Sequence, residues 1–298
     1  MPLITIHKLY KSYSHTVALK SVNIDIHAGE IFGLIGPDGA GKTTLLRILA
    51  TVLPYDSGTI HIDNFDIKRN YKELRRIIGY VPSKFSLYHD LTIEENLHFF
   101  ADLYNTKVKD NYDIIHDIYT HIAPFKHRKA GKLSGGMKQK LALCCALIHK
   151  PKILLLDEPT TGIDPVSRKE LWGILTRLKQ ENITIIVSTP YMDEASLCSR
   201  IALIQLGSIL AIQTPQHIIA QYPHPLFATK TNNSYKLLTE LKNHTNIIES
   251  YACGEYVHIV PLQADDSHTL KIDNNTFYKI TPTIEDCFIQ LMNNPLVQ

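Results

Sequence analysis

The sequence lacks any apolar run long enough to span a membrane. A helix that crosses a bilayer needs about 20 mostly apolar residues, and the richest run, at residues 141–148, is much shorter. The amino terminus also lacks the basic start and apolar stretch of a secretory signal. We therefore expect other chains to form any membrane path that this protein serves.

Cysteine is scarce and has no recognisable spacing. The five cysteines are odd in number and form no CxxC pair, which argues against a disulfide framework and against a zinc ribbon. We expect reduced, buried thiols, as in a cytosolic protein. The 15 histidines show no HxxxH or HExxH spacing, so we assign none of them to a metal.

A strong excess of charge is missing too. The chain has 31 Lys and Arg against 29 Asp and Glu, a formal net charge of +2. This charge is too small to indicate a nucleic-acid partner by itself. One basic cluster is interpreted as a solvated loop face, and its members are Lys126, His127, Arg128, Lys129 and Lys132.

Hydrophobic patterning predicts an α/β sheet that is largely parallel in its middle. Alternation predicts edge strands at residues 3–6 and 22–26. Continuous apolar runs predict further strands at residues 31–35, 77–81, 153–156 and 183–188. Helices are predicted at residues 43–50, 92–104 and 134–149, and Thr92 with Glu95 has the spacing of a capping box.

The composition changes near Gln221. The segment Tyr222-Pro223-His224-Pro225 is a boundary signal, and short strand-like runs such as residues 256–260 follow it. We predict two domains, residues 1–221 and residues 222–298. The second is expected to be a small C-terminal α+β appendix.

A glycine-rich turn follows the predicted strand at 31–35 and fits GxxxxGK[ST]. Its residues are Gly36, Pro37, Asp38, Gly39, Ala40, Gly41, Lys42, Thr43 and Thr44. Glycines let successive backbone N–H groups curl around a phosphate, and the next helix directs its N-terminus at the same anion. Lys42 would supply charge to the β- and γ-phosphates, and the Thr43 hydroxyl is a candidate Mg²⁺ ligand. A chance glycine turn is the alternative, which the strand–loop–helix context disfavours.

Two acidic residues end the predicted strand at 153–156. Asp157 stands at the carboxyl end of the strand, where α/β sheets bind ligands. We expect Asp157 to hold Mg²⁺ through water and Glu158 to polarise an attacking water as general base. Two solvated acids at a strand end are the alternative, which becomes weak beside a phosphate loop.

A third motif precedes a predicted helix and would present N–H groups and a hydroxyl to an anion. Its residues are Leu133, Ser134, Gly135, Gly136 and Met137. With the phosphate loop and the Asp-Glu strand end, it makes residues 3–221 resemble the nucleotide-binding domains of ABC transporters. The resemblance implies a P-loop NTPase of ABC type, with an antiparallel β layer and a helical subdomain, that uses ATP and Mg²⁺.

Further roles follow from this resemblance. In the family two such domains pair head to tail, and the motif at residues 133–137 of one caps the γ-phosphate bound to the other. Tyr13 stands where the family has an aromatic that stacks on adenine, with an ordinary strand tyrosine as the alternative. The residues Gly162-Ile163-Asp164 match the loop that crosses the dimer interface.

Two other segments resemble the drug-export branch of the family. They are residues 189–195 after the last core strand and residues 283–288 in the appendix; for the second, an unremarkable amphipathic helix is the alternative. The branch implies export through separate membrane-spanning permease subunits. The family's pairing implies a second ABC ATPase subunit as partner, in a heterodimer or a homodimer, and the resemblance implies a position on the cytoplasmic face of the membrane.

Two positions depart from the family pattern. Ser83 stands where the family has Gln, and Pro190 stands where it has His. Serine is too short to reach a metal without a bridging water, and proline has no side-chain donor and no backbone N–H. Lineage variation and a weakened own ATP site are both open interpretations.

Two other functions are weighed against an exporter subunit. An ATP-dependent clamp would bind ATP and dimerise but turn over slowly, and the retained Glu158 argues against a complete loss of turnover. A soluble ABC ATPase of DNA repair or translation would carry long coiled coils, zinc insertions or fused ATPase domains. The short path from Ser83 to Leu133 leaves no room for such an insertion.

Overall fold

The computed structural model describes residues 2–242, 244–262, 268–273 and 275–293. The strands are β1 (Pro2–Tyr13), β2 (Thr16–His27), β3 (Ile31–Ile35), β4 (Ser57–Ile62), β5 (Phe65–Asp66), β6 (Ile78–Val81), β7 (Ile153–Asp157), β8 (Thr184–Thr189), β9 (Arg200–Gln205), β10 (Ser208–Gln213), β11 (Leu226–Lys230), β12 (Ile247–Cys253), β13 (Tyr256–Pro261), β14 (Thr269–Ile272) and β15 (Asn275–Ile280). The α-helices are α1 (Lys42–Leu49), α2 (Tyr71–Ile77), α3 (Ile93–Leu103), α4 (Tyr112–Tyr119), α5 (Gly135–Leu147), α6 (Pro165–Gln180), α7 (Pro215–Ala220), α8 (Ser234–Leu241) and α9 (Ile284–Asn293). Short 3₁₀ helices lie at Val108–Asn111, Ala123–Phe125, Ala130–Lys132 and Met192–Leu197.

The chain divides into two compact units. The first extends to Pro215 and the second covers Gln216–Asn293. The break lies close to the boundary predicted from the Pro-rich segment, and the functional assignment of residues 1–221 and 222–298 stays a prediction. Within the described ranges, no helix combines the length and apolar character that crossing a bilayer requires.

A six-stranded sheet forms the centre of the first unit, in the order β10-β9-β3-β8-β7-β6. The five strands from β9 to β6 are mutually parallel, and β10 is antiparallel at one edge. All residues of β3, β7 and β8 are buried, which explains their continuous apolar runs. Parallel strands end at the same edge of a sheet, so the segments that follow β3, β6, β7 and β8 gather there.

A second sheet confirms the antiparallel layer. Its order is β2-β1-β4-β5, with antiparallel pairing throughout. The prediction of an edge strand was wrong for β1, which is longer than residues 3–6 and lies between β2 and β4. The alternation of apolar residues does not reveal that β1 is an interior strand, because its second neighbour, β4, is distant in sequence. Ile6 of β1 lies opposite Ile60 of β4.

The predicted helical subdomain is present as α3 and α4 packed against α5. The capping box at the start of α3 is confirmed: the Thr92 hydroxyl accepts from Glu95 N, and the Glu95 carboxylate accepts from Thr92 N. The fully buried Asn96 accepts from Tyr88 N at 3.1 Å and donates to Tyr88 O at 3.1 Å. This amide fixes the loop that precedes α3.

The second unit is built on an antiparallel sheet in the order β12-β13-β11-β15-β14. The helix α8 contributes to an apolar core with this sheet, made of Phe227, Leu237, Leu241, Val257, Ile259, Ile272 and Phe277. An α+β fold of this part of the chain agrees with the prediction.

A polar cluster ties α9 to this sheet. The Asp286 carboxylate is fully buried. Its Oδ1 accepts from the Tyr251 hydroxyl at 2.8 Å and lies 2.7 Å from His258 Nδ1, while Oδ2 accepts from Thr283 N and Thr283 Oγ1, both at 2.7 Å. Burial raises the pKa of Asp286, but the hydrogen bonds from His258, Thr283 and Tyr251 outweigh it and lower the pKa to about 2. Asp286, the third residue of α9, therefore binds Thr283 just before the helix and holds β12 and β13 at the same time.

We predict that Asp286→Asn lowers the stability of the second unit by about 2 kcal/mol at neutral pH, because the variant loses the ionic acceptor. The folded pKa lies below the ordinary value of about 3.9, so the contribution is present above about pH 4 and is lost as the pH falls towards 2. Amide hydrogen exchange of β12 and β13 measures it. The exposed Glu240→Gln in α8, whose carboxylate lies 3.9 Å from Lys236 Nζ of the same helix, is the matched control; equal protection in both variants would remove this role from Asp286.

Candidate functional site

The glycine-rich turn forms a tight loop between β3 and α1. A Cβ at Gly36 would lie 2.2 Å from Ile204 O, and one at Gly41, with φ +108°, would lie 2.5 Å from Ala18 O. Both positions therefore require glycine. No described side chain caps the start of α1, so its first N–H groups are open to an anion.

Lys42 is a buried cation at this loop. Its Nζ donates to Gly36 O at 2.8 Å and to Pro37 O at 3.0 Å. The same atom lies 3.6 Å from Glu158 Oε1 and 3.9 Å from Asp38 Oδ1. Only 2% of the side chain is exposed, so the ammonium group is largely desolvated and available to a phosphate.

Asp157 ends β7 with a fully buried carboxylate. Its Oδ1 accepts from Thr43 Oγ1 at 3.0 Å and from Ser188 Oγ at 2.8 Å. The other oxygen, Oδ2, is buried and has no hydrogen-bond partner among the described residues. A buried carboxylate oxygen without a donor is costly, so this atom fits a hydrated Mg²⁺ beside the Thr43 hydroxyl.

Glu158 follows Asp157 in a left-handed backbone conformation, with φ +50°. Its N–H donates to Ser188 Oγ at 3.0 Å and to Ser188 O at 3.1 Å. The carboxylate faces Lys42 and is 20% exposed. Glu158 is therefore held by its backbone while its side chain remains accessible to solvent.

The motif at residues 133–137 begins α5. Ser134 is the N-cap residue, and its hydroxyl accepts from Met137 N at 3.4 Å. Leu133 is buried, whereas Ser134 and Gly135 are exposed. The loop at residues 162–164 lies alongside, because a Cβ at Gly135 would be 3.5 Å from Gly162 O. The motif thus presents a helix N-terminus to the outside of this chain.

The other predicted residues lie around the loop and the sheet edge. Tyr13 is 43% exposed, and its hydroxyl lies 3.5 Å from Thr44 Oγ1, so the side chain is near the phosphate loop. Lys11 Nζ lies over its ring, 5.4 Å from the centroid. Ser83 is exposed just beyond β6, and Pro190 is half-buried next to the last residue of β8. Both strands end at the edge where Asp157 lies.

Two arrangements were not recognised from the sequence. One is the contact of Ser188 with both Asp157 and Glu158. The other is buried Glu194, which accepts from Arg168 Nε at 2.6 Å and from Trp172 Nε1 at 3.1 Å and so ties the segment after β8 to α6. No local pattern reveals either arrangement, because the partners are more than 20 residues apart.

Comparisons with known proteins agree with this site. The ABC transporter family model matches residues 19–161. The probable multidrug ABC transporter ATP-binding protein YbhF of Escherichia coli (strain K12) is 38% identical over 283 residues, which are 92% of this chain and 49% of YbhF. The Nod factor export ATP-binding protein I of Paraburkholderia xenovorans (strain LB400) is 35% identical over 216 residues, 72% of this chain and 71% of that protein.

The fold comparison gives the same family. The dimeric ATP-binding cassette MJ0796, in a post-hydrolysis state bound to ADP and Pi, has a TM-score of 0.64 at 27% identity and covers 71% of this chain and 98% of that one. The chain spans about half the length of YbhF and more than two thirds of the Paraburkholderia protein. On these matches, and on the geometry of its phosphate loop and strand ends, the chain belongs to the ABC transporter family as an ATP-binding domain.

Proposed function

We propose that this protein binds and hydrolyses MgATP and couples both steps to export through separate membrane-spanning permease subunits. The observation that carries the proposal is the buried Oδ2 of Asp157, for which the described part of the chain offers no hydrogen-bond partner. It lies on the same carboxylate as the Thr43 contact. Lys42 and Glu158 lie 3.6 Å apart beside it. Such a site can accommodate a phosphate beside Lys42 and a metal ion beside Asp157, and Glu158 is then the base.

Each residue has a distinct task in this mechanism. The N–H groups of residues 36–44 and the Lys42 ammonium hold the phosphates, and the exposed ring of Tyr13 stacks on adenine. Thr43 and, through water, Asp157 would hold Mg²⁺, which neutralises phosphate charge. Glu158 orients the attacking water and accepts its proton. In a head-to-tail dimer, residues 133–137 complete the partner's site.

The direction of transport is proposed from the relatives. Two of them are named as a multidrug transporter protein and a Nod factor export protein, which supports export. The permease subunits, the position on the cytoplasmic face of the membrane and the absence of a nucleic-acid partner belong to the same proposal.

The partner is proposed to be a different, complete ATPase chain. Ser83 and Pro190 both weaken contacts to a nucleotide held by this chain's own loop, whereas the motif at residues 133–137 is intact for a partner's site. The part of YbhF that this chain does not match is about as long as this chain. That length would suit a second cassette, joined to the matching one in a single protein.

A second candidate function is a non-catalytic ATP-dependent clamp, favoured by the same Ser83 and Pro190. It would bind ATP and dimerise with little turnover at its own site. Glu158, held beside Lys42, argues for retained catalysis. Turnover of the purified chain with MgATP discriminates between the two functions.

We predict that Lys42→Ala abolishes useful ATP affinity, because the phosphates lose a desolvated cation and the loop loses its contacts to Gly36 O and Pro37 O. Equilibrium binding of a labelled ATP analogue at physiological Mg²⁺ tests this. The exposed Lys72→Ala in α2 is the control and should bind as wild type. Unchanged affinity in the Lys42 variant would remove the phosphate-loop assignment.

Glu158→Gln is expected to retain ATP binding, to slow hydrolysis by at least ~10²-fold and to trap a dimer, since only the general base is lost. Size-exclusion chromatography with MgATP reports the dimer, and phosphate release reports turnover. The exposed Glu181→Gln serves as the matched control. Turnover near the wild-type rate would take Glu158 out of the catalytic role.

The asymmetric pairing predicts different effects for two variants in the assembled transporter. Ser134→Arg should abolish hydrolysis, because it blocks the complete site of the partner, whereas Glu158→Gln should only reduce it. A barrier higher by about 3 kcal/mol at this chain's own site corresponds to roughly 10²-fold slower turnover. Steady-state ATPase rates of the two variants test the difference.

Two results would contradict the asymmetric pairing. One is turnover of several per second by the purified chain alone, and the other is an equal loss of activity in both variants. A homodimer that tolerates Ser83 and Pro190 would then be the better account.

A further inference from the structure

Ser188 is the penultimate residue of β8 and is fully buried. Its hydroxyl lies 3.0 Å from Glu158 N and 2.8 Å from Asp157 Oδ1. A backbone N–H can only donate, so the hydroxyl oxygen accepts from Glu158. A hydroxyl has a single proton, which is therefore directed at Asp157. The two hydrogen bonds have a fixed direction, from Glu158 N–H to Ser188 to the Asp157 carboxylate.

This direction determines which oxygen of Asp157 remains open. Oδ1 accepts from Ser188 on one side and from Thr43 on the other, so β8 and α1 hold the carboxylate between them. Oδ2 has no partner among the described residues. Without the Ser188 donor, the carboxylate would be held at Oδ1 by Thr43 alone, and rotation about its terminal torsion would be less restricted.

The same hydroxyl also supports the backbone of the proposed base. Glu158 has φ +50°, a left-handed region that is sterically unfavourable for residues with a side chain. Its N–H is shared between Ser188 Oγ and Ser188 O. Ser188 thus fixes the turn from which the Glu158 side chain leaves the sheet.

We propose that Ser188 is a positioning residue that sets the orientation of the metal-binding Asp157 and the base Glu158 together. The proposal rests on the proposed function, MgATP hydrolysis at this site. Ser188 itself makes no contact with the nucleotide in this assignment; it acts through the carboxylate and the backbone that it holds.

The test measures Mg²⁺ dependence in the full-length chain. Ser188→Ala should bind a fluorescent ATP analogue in EDTA as tightly as wild type, because Lys42 and the loop are unchanged. It should then need about tenfold more Mg²⁺ to reach half-maximal binding, and its kcat at saturating Mg²⁺ should fall by about tenfold with KM little changed. Ser188→Thr, which keeps the hydroxyl, should restore both quantities.

Thr184→Val is the matched control, since Thr184 is a buried hydroxyl in the same strand that accepts from Gly29 N at 2.9 Å, at the opposite end from the loop. It should lower the melting temperature without shifting the Mg²⁺ midpoint.

A wild-type Mg²⁺ midpoint and kcat in Ser188→Ala, or an equal Mg²⁺ shift in Thr184→Val, would overturn the proposal. If Ser188→Thr has the same melting temperature as Ser188→Ala but does not regain the wild-type Mg²⁺ midpoint and kcat, loss of the hydroxyl does not cause the defect, and the proposal also fails. Wild-type protein that binds no ATP would contradict the proposed function instead, which separates the two failures.

Discussion

The burial of the Asp157 carboxylate is the constraint on which the nucleotide site depends. A buried charge is costly unless donors or a cation compensate it, and Asp157 is fully buried between neighbouring strands of the parallel sheet. Its donors come from α1, through Thr43, and from β8, through Ser188. Asp157 Oδ1 therefore receives both hydrogen bonds only when three features have formed. They are the order of the sheet, the glycine turn before α1 and the end of β8.

The sequence predicts well what lies within one continuous segment. Residues 36–44 and 133–137 each carry their own turn, helix start and reactive groups, and the capping box of Thr92 and Glu95 is equally local. Contacts between distant segments were not predictable in this way. Ser188 meets Asp157 from 31 residues away, and the interior position of β1 depends on pairing with β4. Periodicity reports which face of a strand is buried, but it does not report which strand lies beside it.

The second unit shows the same difference between local motifs, which the sequence predicts, and contacts between distant segments, which it does not. Residues 283–288 resemble a segment of the export branch, which stays a prediction, and α9 begins within them at Ile284. The burial of Asp286 could not be read from it, because Tyr251 and His258 approach from a hairpin 35 and 28 residues away. On the sequence alone, Asp286 and Glu285 are two neighbouring acids of one helix. The fold buries the first and exposes the second. Asp286 therefore accepts from Tyr251, lies beside His258 and accepts from Thr283, whereas Glu285 accepts from Cys253 Sγ at 3.4 Å.

The departures at Ser83 and Pro190 concern side chains and leave the strands that carry them intact. β6 keeps its parallel register with β7, with Val81 opposite Leu156, and β8 keeps Ser188 opposite Asp157. Neither departure therefore removes a contact that holds Asp157, Glu158 or Lys42. The groups that are proposed to hold phosphates lie in the loop and α1, and the motif that would serve a partner lies on α5. Neither set depends on residues 83 or 190. A chain built in this way is expected to keep nucleotide binding and its contribution to a partner's site while its own γ-phosphate contacts are reduced, which is the physical basis for the proposed pairing with a complete ATPase subunit.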